Sequence, residues 1–382
     1  MIFEMGFSNY GRKRKKEKKK RGPVAKTFSI IGLVLAIIIL LVFAYVAYVF
    51  LSFKRIDDNQ ALVAEQQAES ETVQTGKELM VTSYNIGFGA YSDDYTFFMD
   101  GGKESWAFSK DAVYENIDGA MNVIAEYDPD IALFQEVDFD ATRSYHVDQR
   151  VLVDEAMAEL GEYSYTFAQN YDSPFLMYPI TQPHGANKAG IMTFSKAQIT
   201  SGLRRSLPIE EGFSKVIDLD RCYSKSRVTT DNGKELVIYN HHLSAYTANA
   251  LTAEVQLSML IKDMQEEYEQ GNYCIAGGDF NRDLLGNSPE IFHTDVLDDN
   301  WAKPVNMSLF TDDITLVAPF DENDLAASCR NPDKPYEKGD FVVTVDGFIV
   351  SANVDVVYSN VIETDYKYSD HNPVMMKIKL KK

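Results

Sequence analysis

The stretch Y-C-I-A-G-G-D-F-N-R, residues 273–282, joins a buried strand directly to a polar turn. The run Tyr273–Ala276 predicts a strand of a sheet that is covered on both faces. The two glycines that follow let the backbone turn tightly where this strand ends. Asp279 and Asn281 are two positions apart and can therefore point to the same side. A carboxylate and an amide at a strand end are typical of an α/β active site, and an Asx turn that caps the next helix is the structural alternative.

Five further polar strings follow or interrupt apolar runs elsewhere in the chain. A hydrophobic core would exclude such residues, because polar groups without a partner cost free energy when they are buried. Carboxylates, amides and imidazoles at strand ends are where α/β sheets place their chemistry, so each string marks candidate site residues. The strings are S-Y-N-I ending at Asn85 and Ile86, F-Q-E ending at Glu136, N-H-H-L at Asn240–Leu243, D-G-F-I-V-S from Asp346, and S-D-H-N-P-V at Ser369–Val374.

In this order the six strings resemble the endonuclease/exonuclease/phosphatase superfamily, whose members include pancreatic deoxyribonuclease, bacterial sphingomyelinase and inositol-polyphosphate 5-phosphatases. The resemblance covers roughly residues 78–380. It implies an α/β fold in which two mixed sheets form a four-layer α/β/β/α sandwich. It also implies metal-assisted hydrolysis of a phosphoester, with Mg²⁺ as the cofactor or Mn²⁺ in its place.

The resemblance assigns the oxygen-bearing residues to the water and the metal. Asp279 would orient or deprotonate the attacking water, and Asn281 would contact the phosphate. Carboxylate and amide oxygens suit Mg²⁺, which takes one or two carboxylates and keeps several waters. No Cys/His cluster in the sequence has the spacing of a zinc site. The implied metal ligands are Asn85, Glu136, Asp279, Asn281 and Asp370.

Two histidines complete the implied site. His371 would act as general base or bind the phosphate, and the neighbouring Asp370 would hold its imidazole if the chain bends there. His241 and His242 face opposite sides of an extended strand, so only one of them can enter the site, and the family pattern Asn-x-His-Leu implies that it is His242. Asp346 matches the acidic residue that orients this second histidine. The sequence does not decide which of the two imidazoles is the general acid.

The N-terminal part of the chain predicts that the protein is located in a membrane. No charge occurs between Lys26 and Lys54, and the transmembrane helix predicted over 28–53 exceeds the ~18 apolar residues of a membrane-span candidate. A cleavable signal peptide is the alternative, with small residues near Ala44–Ala47. The basic cluster before the span predicts a cytoplasmic tail over 1–27, which places the rest of the chain outside the cell membrane. A nucleic-acid or nuclear-localisation patch is the other interpretation of that cluster.

Charge and composition narrow the function of the remaining chain. The protein has 37 basic and 57 acidic residues, of which ten basic and two acidic residues lie in 1–27, so the rest carries a net charge of −28. Such a charge disfavours binding of a polyanion unless metal ions intervene. Residues 54–77 are polar and predict a linker, followed by one catalytic domain over 78–382. Three cysteines allow one disulfide at most.

The spacing of apolar residues predicts an alternation of helices and strands that agrees with the sandwich. A stripe of apolar residues at helical spacing precedes the F-Q-E string, and a second one precedes the strand at 273. The predicted helices cover 111–127, 151–160 and 249–268, and one of the predicted strands is Val216–Leu219.

The substrate is predicted only as a class. The leading hypothesis is a membrane-anchored, extracytoplasmic phosphodiesterase or nuclease that acts on a nucleic acid, a nucleotide or a lipid head group, with no protein partner evident. A phosphomonoesterase, a sphingomyelinase-like lipid phosphodiesterase and a catalytically silent binding module are the alternatives. Two apolar loops, Tyr95–Met99 and Pro174–Pro179, would suit lipid or base stacking if exposed. Arg204–Arg205 and Lys225–Arg227 are candidates for a phosphate-binding rim.

Overall fold

The computed structural model describes residues 22–65, 68–210, 215, 219–245, 251–298 and 300–382. The chain forms two compact units, Met1–Leu51 and Ser52–Lys382. Most of the predicted basic tail over 1–27 lies outside the described residues, and so does the predicted strand Val216–Leu219 apart from its last residue.

The first unit contains one long apolar helix, α1 (Pro23–Ser52). Among the described residues it is the one helix that is long and apolar enough to cross a membrane. Proline is favoured in the first helical turn, which explains why α1 begins before the span predicted over 28–53. The hydroxyls of Thr27 and Ser29 donate to backbone carbonyls of the preceding turn, so each has a partner inside the helix.

The second unit has helices whose apolar stripes were visible in the sequence. In the first of them Val113, Ile117 and Ile124 are buried, and the Ser109 hydroxyl caps the N-terminus by accepting from the Ala112 N–H. The three predicted helices are each confirmed to within about two residues at their ends. The helices of this unit are α2 (Lys110–Ala125), α3 (Gln149–Leu160), α4 (Leu251–Glu269) and α5 (Ser288–Phe292).

The strands of the second unit contain more of its described residues than its helices do. They are β1 (Gln60–Leu62), β2 (Ala64–Glu65), β3 (Glu78–Asn85), β4 (Ile131–Ala141), β5 (Ser164–Asp172), β6 (Asn187–Ser195), β7 (Ile199–Ser206), β8 (Cys222–Thr229), β9 (Glu235–His242), β10 (Tyr273–Asp279), β11 (Ile314–Val317), β12 (Cys329–Arg330), β13 (Val342–Val343), β14 (Asp346–Ser351), β15 (Val354–Val361) and β16 (Val374–Leu380).

Within the described residues, these strands form two seven-stranded sheets and one short pair, β12-β13. The first sheet has the order β1-β7-β8-β9-β10-β14-β11, and the second has the order β15-β16-β3-β4-β6-β5-β2. Each sheet contains one parallel pair, β9/β10 in the first and β3/β4 in the second, among antiparallel neighbours. Both sheets are therefore mixed, as the sequence predicts.

Three apolar cores separate four layers. Val81, Ile238 and Ile275 belong to the core between the two sheets. The outer face of the second sheet packs on α2 and α3 through residues such as Ile117, and the outer face of the first sheet packs on α4 through residues such as Leu260. Full burial of one such side chain stabilises the fold by about 1.5–3 kcal/mol. The predicted α/β/β/α sandwich is confirmed.

The predicted linker over 54–77 is part of the second unit. Its first strand, β1, pairs with β7, and β2 pairs with β5, so the segment adds an edge strand to each sheet. The fully buried guanidinium of Arg204 donates to the carbonyls of Ile56 and Asp57 at 3.4 and 3.3 Å. The sequence predicts only the polarity of this linker, because edge pairing uses backbone groups, which the polarity of the side chains does not reveal.

We expect a chain that starts at Glu78 to be less stable than one that starts at Ser52. The deletion removes two edge strands and two carbonyl partners of Arg204, and a buried group left unsatisfied costs about 1–3 kcal/mol. The thermal midpoint should fall by roughly 2 °C for each kcal/mol lost, as measured by calorimetry. Arg204→Met in the longer chain is the control, which should lower the midpoint by itself. Equal midpoints for the two chains would contradict the role given to this segment.

Candidate active site

Three predicted site residues lie at the same edge of three neighbouring strands of the first sheet, at one register position. Asp279 on β10 pairs with His242 on β9 and with Asp346 on β14. Register partners on adjacent strands point to the same face. Ile238 and Ile275 alternate in step with His242 and Asp279 and lie in the core between the sheets. The three site side chains therefore face the second sheet, and His242 Nε2 lies 3.4 Å from Asp279 Oδ2.

The second sheet contributes side chains from the opposite wall. Asn85 ends β3, and Glu136 lies in β4 where its register with β6 shifts between Phe134 and Val137. Glu136 has a φ of 56°, in the left-handed region. A β-bulge of this kind redirects a side chain away from the regular alternation of a strand. The bulge explains how Glu136 reaches the same edge of the sheet as Asn85.

The amide of Asn85 joins the two walls. Its Nδ2 donates to Asp279 Oδ2 at 3.2 Å and to Glu136 Oε1 at 3.3 Å, and it lies 3.5 Å from His371 Nε2. Its Oδ1 accepts from the Gly87 N–H at 3.1 Å, which fixes the orientation of the amide. Four of the predicted site residues thus meet within about one hydrogen-bond length of a single atom.

The structure corrects both predicted carboxylate–histidine pairs. Asp346 Oδ2 accepts from His371 Nδ1 at 2.7 Å, so Asp346 orients His371 and not His242. Asp370 therefore does not hold the His371 imidazole. The reason lies in the spacing, because Asp370 and His371 are consecutive and point in different directions. The Nδ1 atom of His242 has no hydrogen-bond partner among the described residues.

The two histidines of the N-H-H-L string have separate environments. His242 lines the cavity beside Asp279. His241 packs edge-on against the ring of Phe280, with 4.5 Å between ring centroids, and burial lowers its pKa to about 3. Burial, with the nearby Arg221, also holds the pKa of His242 well below its ordinary value. His242 is therefore a neutral imidazole at neutral pH, and His241 is a core residue.

Burial and charge shift the protonation of the remaining groups. Burial and the Asp346 carboxylate raise the pKa of Asp279 to about 7. Burial and the Glu136 carboxylate raise the pKa of Asp370 to about 6. Burial opposes the charged form of His371, but the Asp346 carboxylate outweighs it and holds the pKa of His371 well above its ordinary value. The site at neutral pH therefore pairs an imidazolium with carboxylates that a further cation would stabilise.

The donor set fits a hard divalent cation. Asp279, Asp346 and His371 place potential ligand atoms within 4.8 Å of one another, and since His371 Nδ1 is hydrogen-bonded to Asp346, the donors open to a cation are mainly oxygens. Asn85 and Glu136 are hydrogen-bonded to each other beside them. Oxygen donors of this kind are preferred by Mg²⁺ and Mn²⁺, whereas zinc favours cysteine and histidine. Buried carboxylates with raised pKa values are also the groups that a bound cation converts to the ionised form.

The predicted ligands Asn281 and Asp370 lie at the same cavity. Asn281 Nδ2 donates to the Leu243 carbonyl at 2.8 Å, and its N–H donates to Asp279 Oδ1 at 2.7 Å. Its φ of 51° is left-handed, which the tight turn after β10 requires. Ser369 accepts from the His371 N–H and donates to the Asn85 carbonyl, so the turn that carries Asp370 is tied to β3.

Sequence reasoning missed three arginines that line the cavity, Arg143, Arg221 and Arg330. The cavity has a volume of about 190 Å³. The Arg143 guanidinium binds Asp138 at 2.8 Å, lies 3.9 Å from Glu136 and stacks on the ring of Phe88. The buried Arg330 donates to three backbone carbonyls, one of them that of Tyr95. None of the three belongs to a recognisable string, so the sequence offered no signal for them.

The predicted phosphate-binding rim is wrong. Arg204 is buried against backbone carbonyls, and Lys225 forms ion pairs with Asp263 and Glu267 of α4 at 2.5 and 2.7 Å. Arg227 is also paired with Glu267. These cations attach elements of the fold to one another and do not line the cavity. The three cysteines are free and buried, so the disulfide that the sequence allowed does not form.

Comparison with known proteins supports the fold. The model of the Endonuclease/Exonuclease/phosphatase family matches residues 82–371. A search of curated proteins finds no match to the chain. An endonuclease/exonuclease/phosphatase from Beutenbergia cavernae has a TM-score of 0.54 at 18% identity, covering 80% of this chain and 72% of that chain. A family protein from Leptotrichia buccalis has a TM-score of 0.52 at 16% identity, covering 79% and 100%.

A further similar structure is ANGEL2, described as a 2′,3′-cyclic phosphatase in complex with adenosine-2′,3′-vanadate. Its TM-score is 0.51 at 14% identity, and the match covers 84% of this chain and 99% of that chain. Sequence identities of this size show a shared fold. They do not show a shared substrate, which depends on the site of each protein.

We expect Asp346→Asn to release His371, whereas Asp370→Asn should leave its orientation unchanged. Removal of the Asp346 charge destabilises the imidazolium, so the pKa of His371 should fall toward the ordinary value of about 6.5. Nitrogen-15 and proton NMR spectra of the six histidines measure the chemical shift of the His371 Nδ1 proton and the pKa of the imidazole. The His371 signals are assigned by their absence in the His371→Gln variant. An unchanged His371 signal in Asp346→Asn would contradict the assigned pair.

Proposed function

Because the chain belongs to the endonuclease/exonuclease/phosphatase family, we propose that it is a divalent-metal-dependent phosphoester hydrolase of the phosphodiesterase type, held at a membrane by α1. The observation that carries the proposal is the meeting of Asn85, Asp279 and His371 at the seam between the sheets, with 3.2 Å between Asn85 Nδ2 and Asp279 Oδ2. A carboxylate and an oriented imidazole at one point are the groups that water attack on a phosphoester needs.

Asp279 is the proposed group that orients the attacking water and accepts its proton. A general base works best when its pKa lies near the operating pH. Burial raises the pKa of Asp279 toward this range, and a cation bound nearby would favour the ionised form that accepts a proton. Asn281 is held two residues further on and would contact a phosphoryl oxygen from the same turn.

His371 is the proposed imidazole that contacts the phosphoryl group. The Asp346 carboxylate accepts from its Nδ1 and so directs Nε2 toward Asp279, 3.9 Å from the Asp279 Oδ2 atom. As an imidazolium it would donate to a phosphoryl oxygen or return a proton to the leaving oxygen. His242, which is neutral, would accept or donate a hydrogen bond on the other side of Asp279.

Glu136 and Asp370 are the proposed residues that hold the divalent cation, and Asp279 and Asn281 lie beside them. Asn85 would support this group, because its Nδ2 donates to Glu136 Oε1 and holds that carboxylate in place. A bound cation would polarise the phosphoryl group and stabilise charge on the leaving oxygen. Mg²⁺ is the proposed metal, with Mn²⁺ as a substitute, because the donors are oxygens. The chain's own contribution is to hold these oxygens in a buried pocket where charge interactions are strong.

The proposed location is a cell membrane, with α1 as a single uncleaved span. The charged cluster Arg12–Arg21 precedes α1, and positive charge is enriched on the cytoplasmic side of membrane spans. The proposed topology therefore has a cytoplasmic N-terminus and an extracytoplasmic catalytic unit that starts at Ser52.

A phosphomonoesterase is the second candidate. Arg143, Arg221 and Arg330 at the cavity favour it, since a monoester carries more negative charge than a diester and arginine binds phosphate well.

We expect hydrolysis to require a divalent cation and Glu136. The full chain in detergent should hydrolyse bis(p-nitrophenyl) phosphate with Mg²⁺ and lose the activity with EDTA, and Glu136→Gln should lower kcat/KM by at least ~100-fold because a metal ligand is lost. Glu115→Gln on the exposed face of α2 is the matched control and should retain full activity. p-Nitrophenyl phosphate, plasmid DNA and RNA complete the panel. A folded protein without metal-dependent turnover of any substrate would favour the silent binding module.

A further inference from the structure

An apolar surface beside the cavity is exposed to solvent. We call it the apolar rim, and it comprises large side chains from two loops that contain no charged residue over 95–99 or 173–181. Large exposed apolar patches are uncommon on soluble proteins and mark interaction surfaces. The rim consists of Met99, Phe175, Met177, Tyr178 and Ile180, which are 47%, 42%, 48%, 71% and 83% exposed.

The loop that carries most of the rim is held in place by hydrogen bonds. Leu176 and Gly185 exchange backbone hydrogen bonds at 3.0 Å, so the loop is closed at its base. Gln182 accepts from the Ser105 N–H through its side chain and from the Ser105 hydroxyl through its carbonyl. Trp106 Nε1 donates to the Pro183 carbonyl at 2.7 Å. The loop that carries the rim is thus tied at its base to itself and to the neighbouring chain.

The apolar rim is continuous with the cavity. Phe97, Met99 and His184 line the cavity wall. The ring of Phe98 connects them to the rim, because it lies 4.8 Å from the ring of Phe97 and 5.7 Å from that of Tyr178, between centroids. Any surface that contacts the rim would therefore lie at the entrance to Asp279 and His371.

The charge of the chain distinguishes between the two occupants that such a rim could take. A nucleic acid would need cations along its backbone as well as stacking rings. The chain beyond residue 27 carries a net charge of −28, and Lys225 and Arg227 are engaged with α4. A bilayer of zwitterionic lipids needs only apolar side chains that enter its interface. The same chain carries α1, which by length and composition is a candidate membrane span.

We propose that the apolar rim enters the interface of a zwitterionic phospholipid bilayer and that the phosphoester delivered to the cavity is a phospholipid head group. This inference rests on the proposed hydrolase function and narrows its substrate to lipid. The anchor keeps the catalytic unit at the membrane surface, and the rim orients the cavity toward that surface. Tyrosine and the apolar side chains around it are the residues that favour the interfacial zone of a bilayer.

The position of the rim is tested without any measurement of activity. The native cysteines are buried, so Ile180→Cys in the full chain can be labelled with a polarity-sensitive fluorophore and reconstituted in nanodiscs of phosphatidylcholine and sphingomyelin. The label should report an apolar environment and be quenched at least about twofold by spin-labelled lipid. Val357→Cys on β15, 48% exposed, is the matched control and should remain in water. A label at position 180 that reports the same aqueous environment as the label at position 357 would overturn the proposal.

Turnover tests the substrate half of the inference. The double variant Tyr178→Ser/Ile180→Ser, whose residues do not line the cavity, should hydrolyse nanodisc lipid at least about tenfold more slowly than the wild type while its rate on bis(p-nitrophenyl) phosphate stays within about twofold. Equal lipid rates, or a selective loss of DNA or RNA cleavage, would sink the lipid assignment. If neither protein turns over any substrate, the hydrolase proposal fails, and the labelling result still decides the membrane contact.

Discussion

The packing of one sheet on the other is the constraint on which the site depends. Neither sheet holds a complete set of reactive groups, and the faces of packed sheets lie about 10 Å apart. Side chains from the two walls meet only where strand ends coincide, as Asn85 Nδ2 meets Asp279 Oδ2 at 3.2 Å. Just below this contact, Gln135 Nε2 of the second sheet donates to Asn240 Oδ1 of the first at 2.8 Å. Asn240 Nδ2 in turn donates to two carbonyls of the second sheet, so this polar bridge fixes the alignment that the site requires.

The family that the six strings resemble implied the sandwich, and a local pattern in the sequence indicated the candidate site residues. The end of a buried strand can be recognised in the sequence where an apolar run stops at a polar side chain. This pattern needs only neighbouring residues. Asp279, Asn85 and Glu136 were all found in this way. The choice of His242 over His241 came from the family pattern Asn-x-His-Leu, since strand alternation shows only that one of the two can enter the site. The structure places His242 at the cavity and His241 against Phe280.

What the sequence could not predict depends on which strands become neighbours. Asp346 was assigned to His242, yet it binds His371, because β14 lies in the first sheet and the turn before β16 of the second sheet brings His371 to it. The arginines at the cavity come from loops without a motif, and the edge strands of the predicted linker form through backbone groups. Exposure of the apolar rim also required the fold, since the same side chains could equally have been packed beneath a loop.

The central claim is that a divalent cation binds at the seam between the two sheets. Anomalous diffraction from crystals of the full chain soaked in Mn²⁺ tests it most directly, because the peak locates the metal without reference to any substrate. The account predicts one strong peak in contact with the carboxylate of Glu136, bordered by Asn85 and Asp370. A peak bound elsewhere, or crystals without a peak at Mn²⁺ concentrations that support hydrolysis, would contradict it.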